Sequence, residues 1–438
     1  MRCGCVLRQE TDCLLFYNYH SLSEALSALQ PGMSLGDLLQ REYFFRRDLH
    51  FYTSKDRNSM NDSNLQKVIA LRHTLHRYPE LSMQEVETMA RLKDFLQENT
   101  SIQVVERDGW FYGVKPGYDR QAPAIAFRAD VDALPISEPA DFPHSSVHNG
   151  ISHKCGHDGH CAALCSLALS LEGVSLPHSV YLIFQPGEET GAGAKLCVDL
   201  IRDESIAEIY AFHNLSGYPA GTLVYRQGLT QPASEGLSIC LQGKQSHASA
   251  PEEGRNPAAA LAQIAVYSQQ LLEKSYCGMV LCTITGLNAG AGDFGISPGE
   301  GTIDLTLRAE QEEELKQLER KLLQFSSQQA ATTGLTMTYH ISDAFPETRN
   351  HDSCLQRVLC CAQREGIPTL EMDRLWRASE DFGLYLKHCP GAMFYLGNGM
   401  DHPPLHSVEY DFNDSILPIA VRIMTALAMD KRDGGRRK

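Results

Sequence analysis

Three imidazoles, a thiol and a carboxylate lie within residues 153–160, where they are interrupted by two glycines. Nitrogen, sulfur and oxygen donors at this density are those that a borderline-soft divalent cation such as Zn²⁺ selects. Cys155 and His157 are two residues apart, so an extended loop would point both side chains at one centre. Gly156 between them permits an unusual backbone conformation. The segment therefore predicts a metal site.

Two adjacent carboxylates, Glu188 and Glu189, follow the apolar run 180–184 at a predicted turn. Open α/β sheets place their sites at the carboxyl ends of such strands. One carboxylate can bind a metal ion while its neighbour transfers protons, so the pair suits metal-assisted hydrolysis.

Length and charge limit the function classes. The chain has 438 residues, too many for one ordinary core, so we expect two domains. The net charge is 39 − 54 = −15, which argues against nucleic acid and anionic membranes as partners. No apolar run approaches the length of a membrane span.

The 14 cysteines show no regular spacing. Four of them, Cys161, Cys165, Cys240 and Cys282, lie in apolar patterns typical of buried thiols. We therefore expect a cytoplasmic protein.

Strand and helix patterns alternate from residue 123 onwards, which predicts an α/β fold with a mostly parallel sheet. Within residues 234–344 the predicted order is β-α-β-β-α-β, that of a ferredoxin-like module. We therefore expect a split catalytic domain, residues 63–233 and 345–438, with an inserted α+β lid or dimerisation domain at 234–344. Residues 1–62 differ in character from the rest. They are either a dispensable extension, with Met60 as the true start, or an ordered helical cap.

Seven segments support a family resemblance. They are LHRYPELS at 75–82, FRADVDALP at 127–135, CGHDGH at 155–160, FQPGEE at 184–189, FH at 212–213, SEDF at 379–382 and LH at 405–406. Together they resemble the dinuclear metallopeptidase family of aminoacylases and carboxypeptidases. Within that family, the chain is most similar to the amidohydrolase branch of hippurate and auxin-conjugate hydrolases. The similarity runs from about residue 65 to the C-terminal helix and leaves residues 1–62 outside.

The resemblance implies two divalent metal ions, with a bridging thiolate. The implied ligands are Cys155, His157, Glu189, His213 and His406. Zinc and manganese both suit these donors, and cobalt or nickel also stays open. For His153 and His160 we expect a structural role or a hydrogen bond to a ligand.

Glu188 is our choice for the general base that deprotonates a metal-activated water. Asp130 is expected to orient a ligand imidazole, whereas Asp132 could equally be a polar residue that closes a strand.

The segment GKQSHA at 243–248 resembles the family's lid motif, in which a histidine stabilises the oxyanion, often across a homodimer interface. This makes His247 the oxyanion candidate, with an ordinary loop histidine as the alternative.

Four other residues have less specific predicted roles. Ser379 could contact substrate or cap a helix. Three further residues, Arg255, Asn256 and Asn288, are possible contacts for a substrate carboxylate, although ordinary loop or cap roles are favoured. The chain also departs from the family pattern, with FGISP at 294–298 in the lid turn, Gly187 in a place that is often alanine, and Val408 where a proline is usual. These changes affect the expected substrate pocket more than the metal site.

The sequence therefore predicts a metal-dependent amidohydrolase that cleaves an N-acyl amino acid or a related small amide or dipeptide. One alternative is a hydrolase that uses Cys155 as nucleophile and His157 as base. Another is a catalytically silent metal-binding protein, against which Glu188 argues because a storage site needs no base.

Overall fold

The computed structural model of the protein describes residues 62–139 and 142–430. The predicted N-terminal extension lies outside these ranges except for its last residue, Asp62, where the first described helix begins.

Helices and strands alternate along the described chain. The helices are α1 (Asp62–Arg77), α2 (Val86–Asn99), α3 (His157–Ser170), α4 (Gly193–Cys197), α5 (Asp199–Asp203), α6 (Ala258–Leu272), α7 (Glu312–Thr333), α8 (Asp352–Arg364), α9 (Gly383–Leu386) and α10 (Leu417–Met429). The strands up to residue 247 are β1 (Gln103–Arg107), β2 (Trp110–Lys115), β3 (Ala124–Asp130), β4 (Val180–Gln185), β5 (Ile206–Ser216), β6 (Leu223–Tyr225), β7 (Leu229–Gln231), β8 (Ala233–Gln242) and β9 (Ser246–His247). The later strands are β10 (Val280–Ala289), β11 (Ile296–Ser297), β12 (Glu300–Ala309), β13 (Thr336–Phe345), β14 (Thr348–Arg349), β15 (Thr369–Glu371) and β16 (Gly391–Gly399).

The larger sheet has the strand order β1-β2-β4-β3-β5-β16-β6-β15. Its central strands β4, β3, β5 and β16 are parallel, whereas β1 and β2 pair antiparallel to their neighbours. Strand β6 pairs antiparallel with β16 and parallel with β15. Strands β3 and β4 are buried along their whole length, as expected for parallel strands covered on both faces. The prediction of an α/β fold with a mostly parallel sheet is confirmed. Strand β4 leads into the turn that carries Glu189, and β5 carries His213.

Helix α3 is covered on every side: residues 157–169 are all buried. The reason is that α3 packs on β3 and is covered by α1 and α10. A helix in such a position needs small or apolar residues on every side, which the sequence supplies.

A second, antiparallel sheet has the order β10-β12-β8-β13. Helices α6 and α7 pack on it, and together they enclose an apolar cluster separate from the main core. The alternating residues Leu237, Ile239 and Leu241 on β8 point into this cluster. Strands β7 and β14, which precede and follow the module, pair with each other. The chain therefore enters and leaves the module at neighbouring positions.

The cysteines that the structure describes are all free thiols. Cys161, Cys165 and Cys282 are buried as predicted, but Cys240 is only half-buried. Its prediction as a buried thiol was wrong because it lies on the face of β8 opposite the apolar cluster. Among the described residues, no helix is long and apolar enough to cross a bilayer. The cytoplasmic location stays a prediction.

Candidate metal centre

The first part of the site is the turn that leads into α3. Gly156 has φ +96°, and a Cβ atom there would lie 2.5 Å from Asn214 Oδ1 and 2.6 Å from the Tyr410 hydroxyl. Only glycine fits this position. The expected extended loop is wrong, because His157 is already the first residue of the helix. The left-handed turn at Gly156, rather than an extended strand, brings Cys155 and His157 to one centre.

The second part is the turn after β4. Gly187 has φ +58° and precedes a short 3₁₀ turn, Glu188–Thr190. The Gly187 amide donates to Glu85 Oε1 over 2.7 Å, and the Glu189 amide donates to Asp132 Oδ2 over 3.0 Å. These two hydrogen bonds fix the direction in which the adjacent carboxylates leave the backbone. Glycine at position 187, one of the departures from the family pattern, suits the left-handed conformation found there.

All five predicted ligands and Glu188 converge at one place. Cys155 Sγ lies 3.4 Å from His213 Nε2. Glu189 Oε1 lies 3.8 Å from His157 Nε2 and 3.7 Å from His406 Nε2. Glu188 Oε2 approaches His157 Nε2 to 3.9 Å. Overlapping triplets of these donors lie within 4.8 Å of one another, a spacing that could hold metal ions.

Two atoms at the centre lack the partners that buried polar atoms normally have. His157 Nε2 and Glu189 Oε1 are buried and make no hydrogen bond within the described part of the chain. His157 Nδ1 contacts the Asp132 carbonyl at 2.9 Å, and His213 Nδ1 contacts the Asn214 carbonyl at 2.8 Å. Because each Nδ1 must donate to its carbonyl, the Nε2 of each ring carries a lone pair when the ring is neutral. The residues present thus fit a cation between them.

In the ion-free protein, the pKa values of three of these residues favour their protonated forms. Burial, with the nearby Glu189 carboxylate, raises the pKa of the Cys155 thiol well above its usual range. Burial also raises the pKa of Glu189 to about 7. For His157, burial lowers the pKa, but Asp130 and Asp132 outweigh it and raise the pKa to about 10. Divalent cations would reverse these shifts by favouring the thiolate, the carboxylate and the neutral imidazole.

The two aspartates around the centre have different partners. Asp132 contacts Nδ1 of His157 through its carbonyl and, at 3.2 Å, through Oδ1, so it orients an implied ligand. Asp130 Oδ1 instead contacts His160 Nδ1 at 2.6 Å. The expectation that Asp130 orients a ligand imidazole was wrong in this respect, because His160 occupies that position. His160 Nε2 contacts Asn214 at 2.7 Å, so both its nitrogens are occupied.

His153 is buried against α1 and makes no described contact with the ligand atoms. Its ring centroid lies 6.2 Å from that of His76, and neither of its nitrogens has a hydrogen-bond partner among the described residues. Burial lowers its pKa to about 4, so the ring is neutral at physiological pH.

A buried arginine, Arg128, forms ion pairs with three carboxylates beside the site. The sequence did not predict these ion pairs. Arg128 donates to Asp130 and Asp381 over 2.7 Å each and to Glu380 over 3.0 Å. Its Nε also donates to Gln185, the last residue of β4. Both Arg128 and the two acidic residues stand in the quoted motifs. Their pairing was not predictable, because it spans 252 and 253 residues of sequence.

His406 reaches the centre from the C-terminal segment in a strained conformation. Its φ is +64°, in the left-handed region that side chains disfavour. The His406 amide donates to the Lys154 carbonyl over 2.7 Å, and the buried Lys154 ammonium donates to the Tyr410 carbonyl over 2.7 Å. Lys154 thus connects the segment of His406 to that of Cys155. Its role was not predicted.

The structure does not bring every predicted residue to the centre. His247 lies exposed in β9, where its Nδ1 accepts from the Ser249 amide, outside the converging donors. Ser379 caps no helix, because its hydroxyl bonds Ser234 Oγ at 2.6 Å. Asn256 lies just before α6, where its Oδ1 accepts from the Ala258 amide. Two other predicted carboxylate contacts also lie in the second module: the Arg255 guanidinium donates to the Gly334 carbonyl, and Asn288 lies on β10.

Comparison with known proteins places the chain in a family. Residues 126–430 match the family described as Peptidase family M20/M25/M40. The chain belongs to this family, which confirms the resemblance to dinuclear metallopeptidases. The expectation of a hydrolase is confirmed with it.

Individual relatives indicate which kind of hydrolase the chain resembles. The chain is 31% identical over 356 residues to an N-acetyl-L-cysteine deacetylase of Bacillus subtilis, covering 80% of this chain and 84% of the relative. It is 29% identical to the IAA-amino acid hydrolase ILR1-like 5 of Arabidopsis thaliana, covering 82% and 86%. A solved structure of the Bacillus subtilis YXEP protein, described as a dinuclear metal binding peptidase from the M20 family, superposes with TM-score 0.71 at 27% identity. It covers 84% of this chain and 98% of YXEP. These names support an amidohydrolase.

Proposed function

We propose that the protein hydrolyses the amide bond of an N-acyl amino acid or a related small amide or dipeptide, in a metal-dependent reaction. The observation that carries this proposal is the pair of buried, unpartnered donors, His157 Nε2 and Glu189 Oε1, beside the carboxylate of Glu188. The names of the relatives, deacetylases and an amino-acid conjugate hydrolase, support the same class of substrate.

Two divalent cations would be held by the five converging donors. These are Cys155, His157, Glu189, His213 and His406. When bound, such ions polarise an amide carbonyl and make water more acidic. The thiolate favours zinc, and the carboxylate and imidazoles leave manganese, cobalt or nickel open.

Glu188 is the proposed general base. Its side chain is buried, with Glu380 and the Arg128 guanidinium among the charged groups that act on it. In the reaction, Glu188 accepts a proton from water while the water oxygen bonds to the amide carbon. It then delivers that proton to the nitrogen as the carbon–nitrogen bond breaks. The carboxylate returns to its ionised form, and a carboxylic acid and an amine leave.

Arg308 is the proposed contact for the substrate carboxylate. It lies on β12, half-buried, and its one described hydrogen bond goes to the Arg377 carbonyl. No described acidic residue forms an ion pair with it, and burial lowers its pKa from the usual value. A guanidinium that is partly desolvated without a counter-ion is suited to bind a carboxylate. Ser234, its cross-strand neighbour, bonds Ser379 of the catalytic part.

The second sheet with α6 and α7 is the proposed ferredoxin-like lid, inserted at residues 234–344 between catalytic segments 63–233 and 345–438. We propose that it also forms the homodimer, and that His247 stabilises the oxyanion in the partner's site. Strand β10 lies at an edge of the sheet with unpaired backbone groups. Exposed apolar side chains lie on β10, in the following loop and on β11: Leu287 is 53% exposed, Phe294 100% and Ile296 41%. This surface suits a second copy of the chain.

Sedimentation tests the dimer. We expect the wild-type chain to sediment at twice its mass, and Leu287→Asp at the monomer mass, because a buried aspartate would oppose pairing along β10. Tyr118→Asp, at an exposed position of the catalytic part, is the control and should stay dimeric. If His247 acts in the partner's site, mixed dimers of His247→Ala and Glu188→Gln regain activity that neither variant has alone. A monomeric wild type with full activity would contradict the proposal.

A substrate panel tests the reaction. We expect the metal-loaded protein to release free amine from N-acetyl and N-benzoyl amino acids. Amidation of the substrate carboxylate should cost about 10–100-fold in kcat/KM, because one charge-assisted hydrogen bond contributes about 1.5–3 kcal/mol. Arg308→Met should lose the preference for the free carboxylate, while Arg202→Met, at an exposed helix position, keeps it. Absence of hydrolysis across the panel with both ions bound would contradict the proposed substrate class.

A further inference from the structure

A partly exposed aromatic residue lies against the metal centre. The Trp376 ring centroid is 5.0 Å from that of His213, with the planes at 64°. A second ring, that of Tyr395, meets the indole at 5.7 Å with the planes at 86°. The indole is half-buried, so part of its surface is available to a ligand.

Trp376 belongs to a small apolar cluster that is separate from both larger cores. Leu215, Val224, Met372 and Tyr395 form its buried part. The half-buried side chains of Tyr218, Trp376 and Leu405 pack on this part. Two residues of this cluster adjoin predicted metal ligands: Trp376 contacts His213, and Leu405 directly precedes His406. A patch of this kind beside reacting groups is typical of a subsite for an apolar substrate group.

The backbone holds Trp376 in place. Its amide donates to the Thr230 carbonyl over 2.9 Å. The carbonyl of the next residue, Arg377, accepts from the Arg308 guanidinium. The indole therefore contacts a predicted metal ligand, and the backbone next to it contacts the proposed carboxylate-binding residue. In an N-acyl amino acid, the amino-acid side chain branches from the carbon between the carboxylate and the scissile amide.

We infer that Trp376 forms the wall of the subsite for the side chain of the leaving amino acid, and that this side chain is large and apolar. The inference rests on the proposed function and adds the substrate class. Tyr218 and Leu405 complete the same surface. The acyl group, which lies on the far side of the scissile carbon from the carboxylate, contacts other residues.

Four substrates and three variants test the inference. N-acetylphenylalanine and N-acetylleucine carry apolar side chains, N-acetylglycine carries none, and N-benzoylglycine carries a large group only on the acyl side. We expect Trp376→Ala to lower kcat/KM about 10–100-fold for the first two, mainly through KM, and less than about 3-fold for the two glycine substrates. Trp376→Phe should restore most of the loss. Tyr118→Ala, an exposed aromatic position elsewhere, is the matched control.

Each alternative has its own result. An equal loss on all four substrates, through kcat, would show that Trp376 only orients His213 and would overturn the inference. A loss confined to N-benzoylglycine would assign the ring to the acyl group and overturn it as well. Metal content is measured for every variant, so that loss of ions is not taken for loss of a subsite.

A binding measurement keeps the test independent of turnover. In the Glu188→Gln background, N-acetylphenylalanine should shift the tryptophan emission to shorter wavelength, and N-acetylglycine should not. The shift should vanish when Trp376→Phe is added, because the second tryptophan, Trp110, is buried in the main core. No shift with any ligand overturns the inference, even if hydrolysis is detected. A shift without hydrolysis by the wild type supports the subsite and counts against the proposed reaction alone.

Discussion

Replacing Glu188 by glutamine is expected to lower kcat by about 10²–10⁴-fold while both metal ions stay bound. Glutamine keeps the shape of the side chain but accepts no proton at neutral pH, so water would attack without a base. Glu188 Oε2 lies 3.9 Å from His157 Nε2, close to the centre, but Glu189 supplies the carboxylate that lies near both His157 and His406. Metal content should therefore be unaffected.

Kinetics with metal analysis on the same samples check this expectation. Glu235→Gln is a matched control, because Glu235 is also buried but pairs with Lys316 in the second module. It should leave kcat unchanged. If Glu188→Gln released a metal ion in proportion to its loss of activity, Glu188 would be a ligand and the base would have to be another group.

The pH dependence of kcat follows from the environment of Glu188. Burial raises the pKa of its carboxyl well above the usual range, and the Glu380 and Glu189 carboxylates add to this. Arg128 opposes the shift, as bound cations would. Because the base must be ionised, activity should fall as the pH drops through the pKa of this group. Glu188→Gln should remove that acidic limb from the profile.

Much of the centre could be predicted because the donors occur in compact motifs. Cys155 and His157 flank one glycine, and Glu188 and Glu189 are adjacent, so short-range sequence alone places each pair on one turn. The strands before them were visible as apolar runs, and strand ends in parallel sheets share one edge. These local signals were enough for the α/β class and for the two pairs of candidate residues, whereas His213 and His406 were implied by the family resemblance.

What could not be predicted depends on contacts between distant segments. Arg128 meets Glu380 across 252 residues, and Lys154 meets the Tyr410 carbonyl across 256. No periodicity encodes such a pairing. The same limit explains the error at Asp130, since only the packed structure shows that His160, one turn along α3, takes the position expected of a ligand imidazole. Trp376 was missed because a single aromatic residue in a loop carries no pattern.

Chelation is expected to reduce activity on the order of 10³-fold or more, and added zinc or manganese should restore it, because the ions would contribute several kcal/mol to the transition state. This result separates the metal-dependent reaction from a cysteine nucleophile at Cys155, which would work without ions. The pKa of the Cys155 thiol supports the metal-dependent reaction. Burial raises it in the ion-free protein, whereas a nucleophilic thiol needs a lowered pKa.

Cys155 itself provides the sharpest form of this test. In the metal-loaded protein the thiolate would be coordinated, and in the ion-free protein the thiol is buried with a raised pKa, so iodoacetamide should modify Cys155 slowly in both states. Mass spectrometry of the peptide containing Cys155 is the measurement, with the exposed Cys277 and Cys360 as internal controls that react in both states. Cys155→Ser should bind the ions more weakly, and excess metal should recover part of its activity, since a hydroxyl is a poorer ligand than a thiolate. A cysteine enzyme would instead keep its activity in chelator, lose it on alkylation, and gain nothing from metal after Cys155→Ser.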